Sequence, residues 1–334
     1  MAVPMQPSSL KLALGVMLLS ACASTSPSPS TSGGSAIPSA SASTASPGPD
    51  LAGRIVFVRS GGTYGDGTVF TANADGSDER QLSDLGEACC AFATRDGERV
   101  LFDTRAPDGR VTTATANFDG SDRFVVPLPE GTLNLGSGPF SPDGKQIAFE
   151  GFDRAHPEVA GIYVGSARGT DLLQITHDGG IPGDWSPDGT QVLFLRDPSR
   201  LFIVNVDGSG ERQLTPDEVA VQCCWGYRWS PDGSRILFPS DDGLLWLINT
   251  DGTELTQLFE DEKVAHVRRA AITPTWSPDG TRIMFGLSPT RSPFDPSGPF
   301  DSAPNELYVI DADGTGLTLV IGGADYKREP SWVP

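Results

Sequence analysis

One four-residue run constrains this chain more than any other feature. Ser-Pro-Asp-Gly stands at 141–144, 186–189, 230–233 and 277–280. Trp185, Trp229 and Trp276 precede three copies, and Phe140 precedes the other. A degenerate copy, Ala-Thr-Arg-Asp-Gly, occupies 93–97, and Pro330-Ser331-Trp332-Val333-Pro334 reads as a further copy cut off at its turn. The turn aspartates Asp96, Asp143, Asp188, Asp232 and Asp279 are 47, 45, 44 and 47 residues apart. After each turn comes a short apolar strand ending in phenylalanine, as in Val192-Leu193-Phe194 or Ile236-Leu237-Phe238. A second strand then runs into another Asp-Gly turn, such as Asp207-Gly208 or Asp251-Gly252, and a short strand closes the unit. Unit three departs, with Arg168-Gly169 at that turn. Asp-Gly between apolar alternations marks a hairpin, because glycine accepts positive φ and aspartate bonds its own backbone. Four strands repeating at this spacing predict an all-β fold, a β-propeller of four-stranded blades. The count is six blades.

The two ends of the chain predict how the ring shuts. The repeat region begins at the strand that follows a Ser-Pro-Asp-Gly turn and ends at the strand that precedes one. Residues 329–333 are therefore expected to be the innermost strand of the blade whose other three strands lie within 53–83. Such pairing removes the open edges that otherwise invite aggregation. These residues resemble the TolB-type repeat: strand, Trp-Ser-Pro-Asp-Gly, strand ending in Phe, strand, Asp-Gly, Leu-Thr. The resemblance runs from about residue 52 to the end and recurs at the same offsets in each unit. It differs from TolB in one respect, since TolB carries an α/β domain ahead of its propeller and here a tether leads into the first blade.

The N-terminus reads as a targeting segment. Lys11 is followed by the apolar run Leu12–Leu19 and then by Ser20-Ala21-Cys22. That run is far shorter than the ~20 residues a spanning helix needs. Leu-Ser-Ala-Cys resembles the lipobox of bacterial lipoproteins, which implies cleavage before Cys22 and a lipid on its thiol. The expected organisation is a signal peptide over 1–21, lipidated Cys22 with a disordered tether over 22–50, and the propeller over 51–334. The tether consists of Ser, Pro, Ala, Thr and Gly with almost nothing apolar, and cannot bury enough surface to offset its ordering entropy. The chain is thus expected to be exported, held by its lipid to a bacterial membrane, facing the periplasm or the cell exterior, and monomeric.

A net charge of −19 argues against nucleic acid as a partner, which would need basic patches. Strand order puts the Ser-Pro-Asp-Gly and second Asp-Gly turns on one face of the ring. The longer connections, including 59–67, 103–110, 150–160 and 288–305, then share the other, and variable loops on a rigid scaffold carry function. His156, His177 and His266 fall on that face. Three histidines can hold a metal, and the resemblance offers a precedent in polysaccharide lyases with similar repeats that hold a metal in the channel. His177 directly follows a strand near the rim, however, and no His-x-His spacing occurs, so exposed and unligated histidines are the expected state and no cofactor is assigned. Trp225 begins an innermost strand near the mouth, where it can touch a ligand. Cys89, Cys90, Cys223 and Cys224 precede innermost strands of blades two and five, which are opposite in a ring of six. An even count in an exported chain points to disulfides. Two vicinal bridges are the simpler reading, and a cap across the mouth is the other.

No Gly-x-Ser-x-Gly elbow and no phosphate-binding glycine loop occurs. Two readings remain. One is a scaffold that binds a protein, peptide or glycan through the long-loop face. The other is a channel enzyme, a lyase or hydrolase acting on a saccharide with or without a metal.

Overall fold

The computed structural model describes residues 51–60, 67–83, 90–197, 199–222, 226–259, 270–288, 305–323 and 325–334. The chain divides into two units, Met1–Ser43 and Thr44–Pro334; the described residues all belong to the second. They form six four-stranded antiparallel sheets. Blade 1 orders its strands β24 (Tyr326–Val333), β1 (Arg54–Ser60), β2 (Thr68–Asn73) and β3 (Arg80–Gln81) from inside outward. Blade 2 holds β4 (Ala91–Ala93), β5 (Arg99–Arg105), β6 (Val111–Asn117) and β7 (Phe124–Val125). Blade 3 holds β8 (Asn134–Gly136), β9 (Gln146–Phe152), β10 (Gly161–Ser166) and β11 (Leu173–Gln174). Blade 4 holds β12 (Ile181–Trp185), β13 (Gln191–Arg196), β14 (Arg200–Asn205) and β15 (Arg212–Gln213). Blade 5 holds β16 (Arg228–Trp229), β17 (Arg235–Pro239), β18 (Leu245–Asn249) and β19 (Thr256–Phe259). Blade 6 holds β20 (Ala270–Trp276), β21 (Arg282–Ser288), β22 (Glu306–Asp311) and β23 (Thr318–Ile321). One 3-10 turn, Pro157–Val159, interrupts the β structure of the described residues.

The ring closes as the termini imply. β24 pairs antiparallel with β1, setting Trp332 opposite Ile55 and Arg54 opposite Val333. The strand is longer than the expected 329–333, because pairing resumes beyond a bulge and joins Val58 to Arg328 and Arg59 to Lys327. Indole Nε1 of Trp332 donates to the Ala52 carbonyl at 3.0 Å and pins the seam.

The repeated turn explains its own composition. In blade 5 the Ser230 hydroxyl donates to Asp232 at 2.6 Å and accepts the Arg235 amide at 3.0 Å, while Asp232 accepts the Ser234 amide at 3.0 Å. Gly233 lies at φ 77°, where a side chain is strained. A Cβ there would sit 3.6 Å from the ring of Pro187, so the proline of one blade packs on the glycine of the next. The same contact joins Gly280 to Pro231 and Gly189 to Pro142. Each carboxylate is held below its usual range chiefly by the serine hydroxyl, to about 2 in Asp143 and Asp232.

The core lies between blades. Trp276 packs with Leu237 and Leu247 of blade 5 and with Ile283 and Phe285 of its own. Trp332 packs with Met284, Leu307 and Val309 across the seam. Trp185 packs with Ala148, Ile162 and Val164 of blade 3, and its indole donates to the Pro139 carbonyl at 2.9 Å. Trp185, Trp276 and Trp332, three tryptophans of the repeat, thus pack between blades.

Candidate functional site: a charged channel

The innermost strands β24, β4, β8, β12, β16 and β20 surround the ring axis. Each descends from the long-loop face to its Ser-Pro-Asp-Gly turn, so depth in the channel follows the count of residues before that turn. Three layers of side chains result.

The layer at the turn face is set by the degenerate copy. Arg95 stands where other units carry the turn proline, and its Nη2 donates to the Trp185 carbonyl at 3.1 Å. That bond joins blade 2 to blade 4 and crosses the channel. The next layer up holds Phe92, Asp184 and Arg228, each just before the repeat's tryptophan position. The Arg228 guanidinium lies 5.5 Å from the Phe92 ring, a contact between opposite blades. Its Nη1 also donates to the carbonyls of Gly183 at 2.9 Å and Tyr227 at 3.1 Å. Half-buried Asp184 accepts the amides of Trp185 and Trp229, both at 2.8 Å. Burial raises its carboxyl above the ordinary value, and Arg95 and Arg228 oppose that shift. Tyr227 lies on Gly183, where a Cβ would come within 1.9 Å of the ring, and its hydroxyl donates to the Ile181 carbonyl at 2.8 Å. On the turn side of the channel, Arg95 and Arg228 thus reach across to non-neighbouring blades.

Above these arginines, toward the long loops, buried carboxylates stand with Arg328 of β24. Glu329 of β24 is 3% exposed. Its backbone sits at φ 56°, in the bulge of the closing strand, and Thr273 of β20 sits at φ 45° in a matching bulge. Positive φ is uncommon for glutamate and a genuine outlier for a β-branched threonine. The Glu329 amide donates to the Thr273 hydroxyl at 3.0 Å, and its carboxylate accepts the Ala91 amide of blade 2. One residue thereby ties blades 6, 1 and 2 together. Its Oε1 is 3.8 Å from Nη1 of Arg328, while Oε2 has no hydrogen-bond partner among the described residues. Asp103 stands one residue beyond the Phe102–Ala91 pair, at the level of Glu329, and accepts the Ser137 amide at 2.6 Å. Glu150, opposite Gly136, holds the same repeat position in blade 3 as Asp103 does in blade 2. Both are buried. Burial pushes Glu329 up to about 7; Arg328 and Arg228 pull it down and Asp103 pushes it further up. Arg228 belongs to blade 5, which blade 6 separates from blade 1, so its pull on Glu329 acts across the channel.

The sequence-predicted site residues fare differently. His156 is exposed, with Nδ1 3.3 Å from Glu158 Oε1, and His177 is exposed just past β11. Cys90 is fully buried. Cys22, Cys89, Cys223, Cys224, Trp225 and His266 lie outside the described residues. Among the described residues no three His, Cys, Asp or Glu side chains are grouped to hold a metal ion. The channel charges went unnoticed at the sequence level, though a signal exists. The residue after the strand-end phenylalanine is Val58, Leu195, Pro239 or Gly286 in four units, but Asp103 and Glu150 in units two and three. A charge where the other units carry an apolar residue or glycine marks a position that the channel, not the core, has claimed.

No protein-family model matches the chain, and no curated protein matches it. Solved structures do. TolB from Acinetobacter baumannii superposes with a TM-score of 0.65 at 19% identity, covering 85% of this chain and 67% of that one. Putative TolB from Agrobacterium tumefaciens gives 0.60 at 18% identity, covering 85% of this chain and 99% of that one. An oligogalacturonate lyase in complex with manganese gives 0.50 at 14% identity, covering 75% of this chain and 69% of that one. The shared feature is the fold: a six-bladed propeller of the TolB type.

Proposed function

We propose that this propeller is a binding scaffold, exported and lipid-anchored through Cys22, that engages a protein, peptide or glycan outside the cytoplasm through its long-loop face. One observation carries the reading: on the turn side Arg95, Phe92 and Arg228 make contacts between non-neighbouring blades, which favours the long-loop side as the approach for a ligand. The likeness to TolB propellers supports it, and so does the short apolar leader ending at a lipobox-like cysteine. Among the described residues no helix is long and apolar enough to cross a membrane.

The test is capture from envelope extracts by the full chain. Replacing the exposed 154–158 segment with Gly-Ser is expected to reduce capture severalfold while leaving the unfolding midpoint nearly unchanged, because the segment contributes no buried residue. Equal capture by both proteins counts against the long-loop face. The second reading, a metal-dependent saccharide enzyme, is favoured by the likeness to the manganese-bound lyase. It requires near-stoichiometric metal in protein purified without chelators; metal-free protein that retains full capture counts against it.

A further inference from the structure

The closing strand β24 is two half-strands of unlike chemistry, divided by the bulge at Glu329. The half toward the turn face is apolar and pinned. Trp332 packs with Met284, Leu307 and Val309, and its indole donates to the Ala52 carbonyl at 3.0 Å. Val333 packs with Val56 and Val58 of blade 1 and Val100 of blade 2. At the division, the Thr273 hydroxyl holds the Glu329 amide at 3.0 Å. The half toward the long loops, Tyr326–Arg328, sets Arg328 opposite Val58, Lys327 opposite Arg59 and Tyr326 opposite Ser60. Here the seam is polar and poorly matched. Lys327 is fully buried, and its Nζ has no hydrogen-bond partner among the described residues. Asp325 Oδ2 stands 4.0 Å from it, and a Cβ built on Gly323 would lie 3.5 Å from it. Arg59 commits two nitrogens to Glu79, each at 2.6 Å, while its Nε lies 3.3 Å from the same Asp325 oxygen without a hydrogen bond. One carboxylate is thus shared by two cations and bonds well to neither. Asn305, also fully buried, donates Nδ2 to the Lys327 carbonyl at 2.5 Å and leaves Oδ1 without a partner among the described residues.

Burial holds the Lys327 ammonium below the ordinary lysine value; Asp325 opposes that shift, Arg59 adds to it, and Glu79 and Glu306 oppose it. An ammonium withdrawn from water and left unpaired is costly, and the cost disappears once the side chain reaches solvent. Opening the long-loop half is therefore offset by hydration of Lys327. Opening the turn half would expose Trp332 and Val333 with no such gain.

We propose that Tyr326–Arg328 is a releasable half-strand: it detaches from β1 in a local opening while the seam from Glu329 to Val333 stays paired, and it bares the β1 edge at Val58–Ser60 on the long-loop face. The ring remains shut through its turn half. Unpaired backbone groups on a strand edge are a template for another extended segment, so the released state offers the long-loop face a pairing edge that the closed state lacks. The device belongs to the fold and does not depend on what the propeller binds.

Native-state hydrogen exchange of the full chain, read by NMR, tests this. Amides bonded across the seam between Tyr326–Arg328 and Val58–Ser60 are expected to exchange at least about a hundredfold faster than those between Ser331–Val333 and Arg54–Val56. Their rates should not respond to low urea, because a local opening exposes little surface. Ordinary fraying from Pro334 inward would give the opposite order. Lys327→Met keeps an unbranched side chain and removes the charge, and is expected to slow exchange in the long-loop half about tenfold. Lys145→Met, whose ammonium is exposed beside Asp143, is expected to change nothing there. If Lys327→Met does not fold, Asn305→Ala serves instead: it removes the bond to the Lys327 carbonyl and is expected to speed exchange of the same amides severalfold. Equal protection of the two halves, faster exchange in the turn half, a long-loop half that opens only with global unfolding in urea, or an unchanged rate in the variant used would each overturn the proposal.

Discussion

Glu329 and the turn aspartates titrate in opposite senses, and the contrast follows from where each carboxyl sits. Asp143 and Asp232 lie at the surface in hydrogen-bonded turns that favour the charged form, so their folded values drop to about 2. Their stabilisation is present above the unfolded value near 3.8 and is lost as pH falls toward 2. Glu329 is buried, which favours the neutral form, and its folded value rises from 4.5 to about 7. Its contribution is full below 4.5 and is lost as pH rises through 7, a change on the order of 3 kcal/mol for a shift of that size. Glu329→Gln keeps the shape and removes the charge. Urea unfolding is expected to find it more stable than wild type at pH 8 by about 1–3 kcal/mol, with little difference at pH 4.5. A wild-type advantage at pH 8 would mean that the ionised carboxylate is better partnered than its burial suggests.

The elements owe their form to a hairpin chemistry legible residue by residue and to a seam that is not local at all. Within a blade, the Ser-Pro-Asp-Gly turn sets the register of the two strands it joins. Removing the hydroxyl in Ser230→Ala leaves the partly buried Arg235 amide without its acceptor and is expected to cost about 1–2 kcal/mol in denaturant unfolding. Between the ends, β24 must find β1 across nearly the whole length of the propeller, and such distant pairing is slow to form. Trp332→Ala removes the largest side chain of the seam along with its bond to Ala52, and a loss of about 3–5 kcal/mol is expected. Truncation before Tyr326 would bare the β1 edge, and light scattering should report aggregation rather than a stable open ring. A soluble, monomeric truncation would show that the other five blades hold the ring without the seam.

At the scale of the whole molecule, the ring gathers charged side chains from separate blades around one axis. Two contacts join blades that are not neighbours: 2 to 4 through Arg95, and 2 to 5 through Phe92 and Arg228. Arg95→Ala is expected to widen the turn side with little change in stability, about 1 kcal/mol or less, since one neutral acceptor is released. Faster entry of a small dye into the channel, followed by fluorescence, would report the widening. The expected anchor acts at this scale too. Cys22→Ser should move the protein from the membrane fraction to the soluble one without changing its unfolding curve, because the tether contributes nothing to the core.

The blade count, the turn chemistry and the closing strand were all legible in the chain, since each follows from local periodicity repeated at a fixed spacing. Strand alternation and Asp-Gly turns act over a few residues, and six similar units leave a ring as the way to bury every face. The charged cluster in the channel was not legible in the same way. Asp103, Arg228 and Glu329 lie far apart in sequence, and each looks like an ordinary polar residue near the end of a strand. Their meeting depends on ring closure, which brings blades 1, 2 and 5 around one axis. Burial then decides their chemistry, because a carboxyl's environment in the channel is set by residues contributed by distant blades rather than by its own neighbours in the chain.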